Sequence, residues 1–217
     1  MCNTELTSGE TGMAVANSLL FATSYHTANG TLFTVNPGSG ALTSVGVATG
    51  IDYDDFGATP SGLYAVGTNS DLYSINPSNG DATLIGSTGL ALGFVRSLSD
   101  NSNTLYFSDG LDLYTLNTGT GAATLVGAFG DSIGMSVMLM EGGVLYGADY
   151  TLNTVDTIDT STGVATVGPM SGLSSALYGL APNPIPASLS PEPGTWWLML
   201  CGAIACVFLQ CRRYAAR

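Results

Sequence analysis

Apolar and polar residues alternate along most of this chain in short runs, a pattern typical of antiparallel β-strands. The runs come in pairs separated by small residues, and the same pair occurs four times at spacings of 40, 41 and 42 residues. The copies are LFTVNPGSGALTSVG from Leu32, LYSINPSNGDATLIG from Leu72, LYTLNTGTGAATLVG from Leu113 and VDTIDTSTGVATVG from Val155. Repetition at a nearly fixed period predicts one structural unit used repeatedly.

Each copy predicts a β-hairpin with a specific turn. The first strand ends in an Asx residue, whose side chain can accept hydrogen bonds from the amides just downstream and open the turn. A glycine follows four residues later, where a longer hairpin needs a left-handed residue. These structural turn glycines are Gly40, Gly80, Gly121 and Gly163. We interpret the series as structural and not as a ligand-binding loop.

Another short apolar run precedes each hairpin, and a further run precedes some of these. The hairpins are preceded by runs at Leu19–Thr23, Leu63–Val66, Leu105–Ser108 and Leu145–Ala148, with a fifth at Leu177–Leu180. Three or four strands in about 41 residues match one propeller blade. We therefore predict an all-β, propeller-like array over residues 12–181, with four copies and a partial fifth. Whether these blades close a small ring or belong to a larger one stays open.

The repeat resembles the Leu-Tyr-x-Ile-Asn-Pro-x-x-Gly blades of bacterial extracellular propeller proteins, as in LYSINPSNG from Leu72. The resemblance covers roughly residues 12–181. It implies a fold more than an activity, because propellers include both enzymes and passive scaffolds.

The chain ends in a linker and an apolar segment. Residues 182–195 are rich in proline and predict an extended spacer. Between Trp196 and Cys211 only Gln210 is a conventional polar residue, and a helix of this length would span about 24 Å. We predict a single transmembrane helix with a basic tail at 196–217, with Arg212 and Arg213 at the cytoplasmic face.

The order Pro191-Glu192-Pro193, apolar segment, Arg212-Arg213 closely resembles the PEP-CTERM sorting signal of Gram-negative bacteria. The resemblance covers residues 191–217. It implies recognition of the tripeptide by an exosortase-type membrane protease, transient anchoring in the inner membrane, and release to the cell surface or a polysaccharide-rich extracellular matrix. Exopolysaccharide is then an expected partner. Three cysteines in the segment depart from the usual composition of such helices.

Composition narrows the range of partners. The chain has 217 residues, 29 glycines, no lysine and a formal net charge of −12, so we expect no nucleic-acid partner. Cys2 is the only cysteine before the tail, which excludes an intrachain disulfide there. Residues 1–11 are expected to be a disordered start. Residues 1–18, MCNTELTSGETGMAVANS, contain no basic region followed by an apolar run, so they are not a secretory signal peptide. We therefore expect a misplaced start or a C-terminal fragment.

The inventory of reactive side chains disfavours catalysis. His26 is the only histidine, so a serine triad would have to use it, and a zinc site of His and Cys ligands cannot be built. The absence of lysine excludes Schiff-base chemistry. We predict no catalytic residue, no cofactor and no enzymatic activity.

Acidic groups leave two alternatives open. Asp52-Tyr53-Asp54-Asp55, expected in a connection before the second blade, is the densest cluster; Asp100 with Asn101 and Asn103, and Asp109 with Asp112, are two others. They favour solvated turns, with Ca²⁺ binding as the alternative. A propeller enzyme acting on extracellular glycans through carboxylates such as Asp54 and Asp109 is the other alternative. We expect the tyrosines at repeat positions to pack between blades, with a sugar-binding surface as the minority interpretation; they are Tyr64, Tyr73, Tyr106, Tyr114, Tyr146 and Tyr178.

Overall fold

The computed structural model describes residues 12–23, 30–91, 97–131 and 133–171. All of them belong to one compact unit, Met1–Pro184; a second unit, Ile185–Arg217, lies outside the described residues. The partial fifth repeat, the linker and the predicted transmembrane segment also lie outside them. Within the described ranges there are sixteen strands and no helix, hence none long and apolar enough to cross a membrane.

The strands form four antiparallel sheets, one for each repeat, and in every sheet the strand order follows the sequence. Blade 1 consists of β1 (Met13–Ala16), β2 (Leu19–Thr23), β3 (Leu32–Val35) and β4 (Leu42–Val45). Blade 2 consists of β5 (Tyr53–Thr59), β6 (Gly62–Gly67), β7 (Asp71–Ile75) and β8 (Ala82–Ser87). Blade 3 consists of β9 (Ser97–Asn101), β10 (Thr104–Ser108), β11 (Asp112–Leu116) and β12 (Ala123–Ala128). Blade 4 consists of β13 (Met135–Glu141), β14 (Val144–Asp149), β15 (Thr154–Ile158) and β16 (Ala165–Ser171).

The first strand of each blade contacts the first strand of the next. The contacts join β1 to β5, β5 to β9, and β9 to β13. The fourth strands lie at the opposite edges of the sheets and are much more exposed, with Leu84 and Leu125 more than half accessible. Each blade therefore has an inner strand at a common centre and an outer strand at the rim.

Neighbouring blades bury both faces of the sheet between them. In β6, Leu63 and Ala65 pack into the apolar cluster shared with blade 1, whereas Tyr64 and Val66 pack into the one shared with blade 3. Because successive strand residues point to opposite faces, a strand covered on both sides reads as a continuous apolar run. A third cluster, between blades 3 and 4, includes Tyr106.

The turns between third and fourth strands are nearly identical. In blade 3, Asn117 Oδ1 accepts hydrogen bonds from the amides of Gly119 (2.9 Å) and Thr120 (3.1 Å). Asn36, Asn76 and Asp159 accept from the second amide downstream in the other blades. The four turn glycines have φ values of 70°, 76°, 83° and 82° in chain order.

These turns also join consecutive blades. A Cβ placed on Gly121 would collide with the carbonyl of Gly86 in blade 2, and one on Gly163 would collide with the carbonyl of Gly127 in blade 3. The Ala123 amide donates to Thr88 O (3.1 Å), and the Ala165 amide to Phe129 O (2.9 Å), across the same two boundaries. The turn glycine thus serves both the local conformation and a close backbone approach.

The structure corrects the predicted position of the first acidic cluster. Tyr53, Asp54 and Asp55 belong to the inner strand β5 and not to a connection before it. Asp54 lies at a β-bulge between Tyr53 and Asp55. The charge density of the segment suggested a loop, but tertiary contacts override that preference because Tyr53 and Phe56 supply the apolar burial that holds it in the sheet.

Candidate functional site at the blade centre

The four inner strands meet around a cavity of about 240 Å³. Its described lining is mostly apolar or neutral, and each inner strand contributes residues to it. Asp100 in β9 is the one carboxylate among the described residues of this lining. Clefts with a few polar groups in a largely apolar wall are where small ligands usually bind, so this cavity is the first candidate for a functional site.

A polar network lies alongside this cavity. Asp55 in β5 accepts hydrogen bonds from Ser97 Oγ (2.9 Å) and from the Leu98 amide (2.8 Å) of β9 through Oδ2. Its other oxygen accepts from the Phe56 amide (2.8 Å). Ser97 Oγ in turn accepts from the amide of Met138 in β13 (2.8 Å). The network links the inner strands of blades 2, 3 and 4.

Blade 1 covers the same network with a glycine. A Cβ on Gly12 would come within 2.7 Å of both Cα and Oδ1 of Asp55. Gly12, Asp55, Ser97 and Val137 occupy equivalent register positions, opposite Thr23, Val66, Ser108 and Ala148. One level of the centre therefore contains four different residues where the outer hairpins repeat the same ones.

Burial dominates the ionisation of Asp55. Desolvation raises its pKa to about 7, against the lowering effect of the hydrogen bonds from Leu98, Phe56 and Ser97; the neighbouring Asp54 raises it further. A carboxyl group with such a pKa is a common feature of catalytic sites, but structural networks shift pKa values in the same way. Asp55 is 7% exposed and its oxygens are engaged in joining blades, which favours a structural role.

Asp100 is more accessible than Asp55. It lines the central cavity and also a second cavity of about 460 Å³ between blades 1 and 2, bordered by the turns at Asn17 and Pro60. Its Oδ1 accepts a long hydrogen bond from the Ala58 amide (3.4 Å), and burial raises its pKa. Asp100 is thus the acidic side chain best placed to meet a ligand.

The other predicted acidic groups are separate. Asp109 accepts hydrogen bonds from the amides of Leu111 and Asp112 and from Tyr114 Oη (3.1 Å). Burial, followed by the charges of Asp109 and Asp112, raises the pKa of Tyr114 to about 12. In the ranges described, no three carboxylate, histidine or cysteine side chains come together as a metal-binding group. The loop clusters considered for Ca²⁺ therefore do not converge within those ranges.

Several predicted residues lie outside the described part of the chain. These are His26, Tyr178 and the sorting residues Pro191, Glu192, Pro193, Arg212 and Arg213. Of the repeat tyrosines, Tyr64, Tyr73 and Tyr106 are buried in the clusters between blades.

Sequence reasoning missed two features. The Asp55–Ser97–Met138 network joins residues more than 40 positions apart, and the inner strands that carry it do not repeat. A pair of buried acids in blade 4, Asp149 and Asp156, was also missed. One signal was present: Asp156 stands where the second and third copies have tyrosine.

Comparison with known proteins bears on the fold. A solved structure of virginiamycin B lyase from Staphylococcus aureus matches with a TM-score of 0.53 and 14% identity over 73% of this chain. A Bacteroides thetaiotaomicron protein of unknown function matches with a TM-score of 0.51 and 20% identity over 76% of it. The fold is a β-propeller. The predicted all-β propeller arrangement is confirmed for four antiparallel blades.

The same comparisons set limits. This chain covers 55% of the lyase and 45% of the Bacteroides protein. No protein-family model and no curated protein matches the sequence. Identities this low show the propeller fold alone, and activity must be argued from this chain's own residues.

Proposed function

We propose that this chain is an exported, non-enzymatic protein of the cell surface or extracellular matrix of a Gram-negative bacterium. Its propeller acts as a binding or structural module, and its C-terminal signal, residues 191–217, is read by an exosortase-type protease. The proposed localisation rests on the order of Pro-Glu-Pro, apolar segment and Arg-Arg in the sequence. An acidic propeller domain without lysine suits solubility outside the cell and repels nucleic acid.

The observation that carries the non-enzymatic part is the use of the central polar groups. Asp55 and Ser97 form hydrogen bonds with the strands of neighbouring blades. Glycoside hydrolysis needs two carboxyl groups about 5–10 Å apart across a pocket. The described lining of the central cavity supplies only Asp100, which supports a binding role in preference to hydrolysis.

Fractionation of cells tests the proposed localisation and processing. We expect the full-length chain to be processed near the tripeptide and released to the cell surface or medium, and substitution of Pro191, Glu192 and Pro193 by alanine to leave it unprocessed in the inner membrane. Pro184→Ala with Pro186→Ala is the matched control, because it alters the same linker outside the motif. Unchanged release of the triple variant would contradict the proposal.

Asp100 keeps one alternative testable. If the propeller acts on extracellular glycans, the purified chain should generate new reducing ends from matrix polysaccharide, and Asp100→Asn should abolish them, because this acid borders both cavities. The proposed function expects no new reducing ends from either protein.

A further inference from the structure

Blade 4 contains two acidic side chains that are almost completely buried. Asp149, at the end of β14, is 2% exposed, and Asp156, in β15, is 0% exposed. Burying a charged group away from water is costly unless another charge or several hydrogen bonds compensate it. Some group must therefore compensate the desolvation cost of these two carboxylates.

One oxygen of Asp149 is well satisfied. Its Oδ1 accepts hydrogen bonds from the amides of Thr151 (2.6 Å), Leu152 (3.2 Å) and Gly134 (3.3 Å). Its Oδ2 is buried and has no hydrogen-bond partner among the described residues. Three hydrogen bonds therefore hold Oδ1 of this carboxylate, and none holds Oδ2.

Asp156 repeats this asymmetry. Its Oδ1 accepts hydrogen bonds from Thr154 Oγ1 (2.7 Å) and from the Gly168 amide (3.1 Å), while its Oδ2 is buried and has no described partner. Asp149 pairs directly with Thr154 across β14 and β15, so Asp149 and Asp156 are diagonal neighbours on the same face. Their Cβ atoms are then about 7–8 Å apart or less, a separation that one bridging ion can span.

The preceding blade shows what occupies the equivalent place there. In blade 3, Asp109 Oδ2 accepts a hydrogen bond from Tyr114 Oη (3.1 Å). In blade 4, Asp149 stands in the place of Asp109, but Asp156 replaces the tyrosine. The shorter side chain removes the phenol that would have satisfied the aspartate and adds a second negative charge.

The described residues contain no lysine, arginine or histidine that could balance these charges. We propose that Asp149 and Asp156 bind a Ca²⁺ ion between them through their Oδ2 atoms. The ion replaces the phenol of blade 3 and neutralises both carboxylates.

The chemistry of the donors favours Ca²⁺ over other common cations. Ca²⁺ prefers carboxylate and carbonyl oxygens in flexible arrangements, whereas Mg²⁺ gives up its water reluctantly and needs near-ideal octahedral geometry. One wall of the site is apolar, since Met135 packs against Gly147, the residue opposite Asp156. The two Oδ2 atoms are two of the six to eight oxygens that Ca²⁺ takes, and in this proposal backbone carbonyls and water supply the others.

The test is thermal melting of the chelator-treated, full-length chain against added CaCl₂. A ligand that binds only the folded state stabilises it by mass action, so we expect the midpoint to rise by about 5–10 °C at one hundred times the dissociation constant. Asp156→Asn and Asp149→Asn should lose this shift. Asp109→Asn, at the equivalent place in blade 3, and Asp81→Asn, in an exposed turn, are the matched controls and should keep it.

Asp156→Tyr guards against a variant that simply fails to fold. It restores the aspartate–tyrosine pair of blade 3, so we expect a cation-independent fold whose midpoint no longer responds to Ca²⁺. Absence of any shift in the natural sequence at millimolar Ca²⁺ would overturn the proposal. A shift that survives in Asp156→Asn and Asp156→Tyr would overturn it as well, because the ion would then bind elsewhere.

Discussion

The centre and the rim of this propeller follow different rules. At the rim, four hairpins repeat the same turn, with an Asx side chain accepting downstream amides and a glycine at positive φ. At the centre, Gly12, Asp55, Ser97 and Val137 occupy one level with four different chemistries. The turn residues repeat because every blade has the same hairpin. The central residues do not repeat because the inner strands meet in only one place.

This difference shows which positions can vary in sequence from blade to blade. A rim turn sees its own blade and the next one, so the same residues serve in every copy. The centre is a single place where all four inner strands meet, and a cluster of unlike residues is needed to fill it and to satisfy its polar groups.

Asp55 should make the centre sensitive to pH. Its pKa is about 7 in the folded chain and 3.8 is its ordinary value, so the folded state holds the proton more tightly than the unfolded state. This contribution to the unfolding free energy is complete below about pH 4 and is lost as the pH rises through 7, a change of about 4 kcal/mol. We expect the difference between the natural chain and Asp55→Asn to follow that curve in urea titrations from pH 4 to 8.

The exposed rim acid gives the control for that measurement. Asp81→Asn should leave the pH dependence unchanged over the same range. Parallel curves for the natural chain and Asp55→Asn would show that burial does not control this carboxyl.

Ser97→Ala should cost about 2–3 kcal/mol, because it removes the donor to Asp55 and leaves the Met138 amide without its acceptor. The measurement is the urea midpoint at pH 6. Thr124→Ala on the exposed outer strand β12 should change the midpoint by less than about 0.5 kcal/mol. Equal effects of the two variants would remove the distinction between centre and rim.

Gly121→Ala should cost about 2 kcal/mol, since alanine at φ 83° is strained and its Cβ meets the Gly86 carbonyl of the neighbouring blade. Gly119→Ala, two residues earlier in the same turn, should be nearly neutral, because its Cβ has only an ordinary contact at 3.4 Å from Asn117 Oδ1. Thermal midpoints of both variants make the comparison. Similar losses would argue against a special role of the turn glycine.

Asn117→Ala should have the smallest effect, about 1 kcal/mol, because the two amide hydrogen bonds it loses are exposed and water replaces the acceptor. The neighbouring Thr118→Ala should change the midpoint even less. An effect as large as that of Ser97→Ala would mean that the rim turns contribute as much as the central network.

Much of the fold could be predicted from the sequence, for a physical reason visible in particular elements. The run Leu19–Thr23 coincides with β2, and the other three preceding runs lie within β6, β10 and β14. Each hairpin is stabilised by contacts a few residues apart, so its sequence carries its own conformation. The continuous apolar run in β6 was also readable, because both faces of that strand are covered.

The candidate site was much less predictable. Asp54 and Asp55 looked like loop acids, whereas β5 places them in the inner strand and buries Asp55 against Ser97 of the next blade. The sequence grouped Asp100 with Asn101 and Asn103 as a polar cluster. Its position between two cavities depends on how the blades pack and could not be predicted. Hydrogen bonds across more than 40 residues leave no local pattern to read.

The sequence by itself determined the repeating unit, the number of described blades and the chemistry of their turns, because those depend on interactions within about forty residues. Only the tertiary structure decided which acids are buried, that the network of Asp55 and Ser97 joins three blades, and that Asp149 and Asp156 share one face with an unsatisfied oxygen each. The reason is that the cost of desolvation depends on position. A carboxylate in a rim turn stays hydrated, whereas one buried between two sheets is destabilising unless it is paired or hydrogen-bonded.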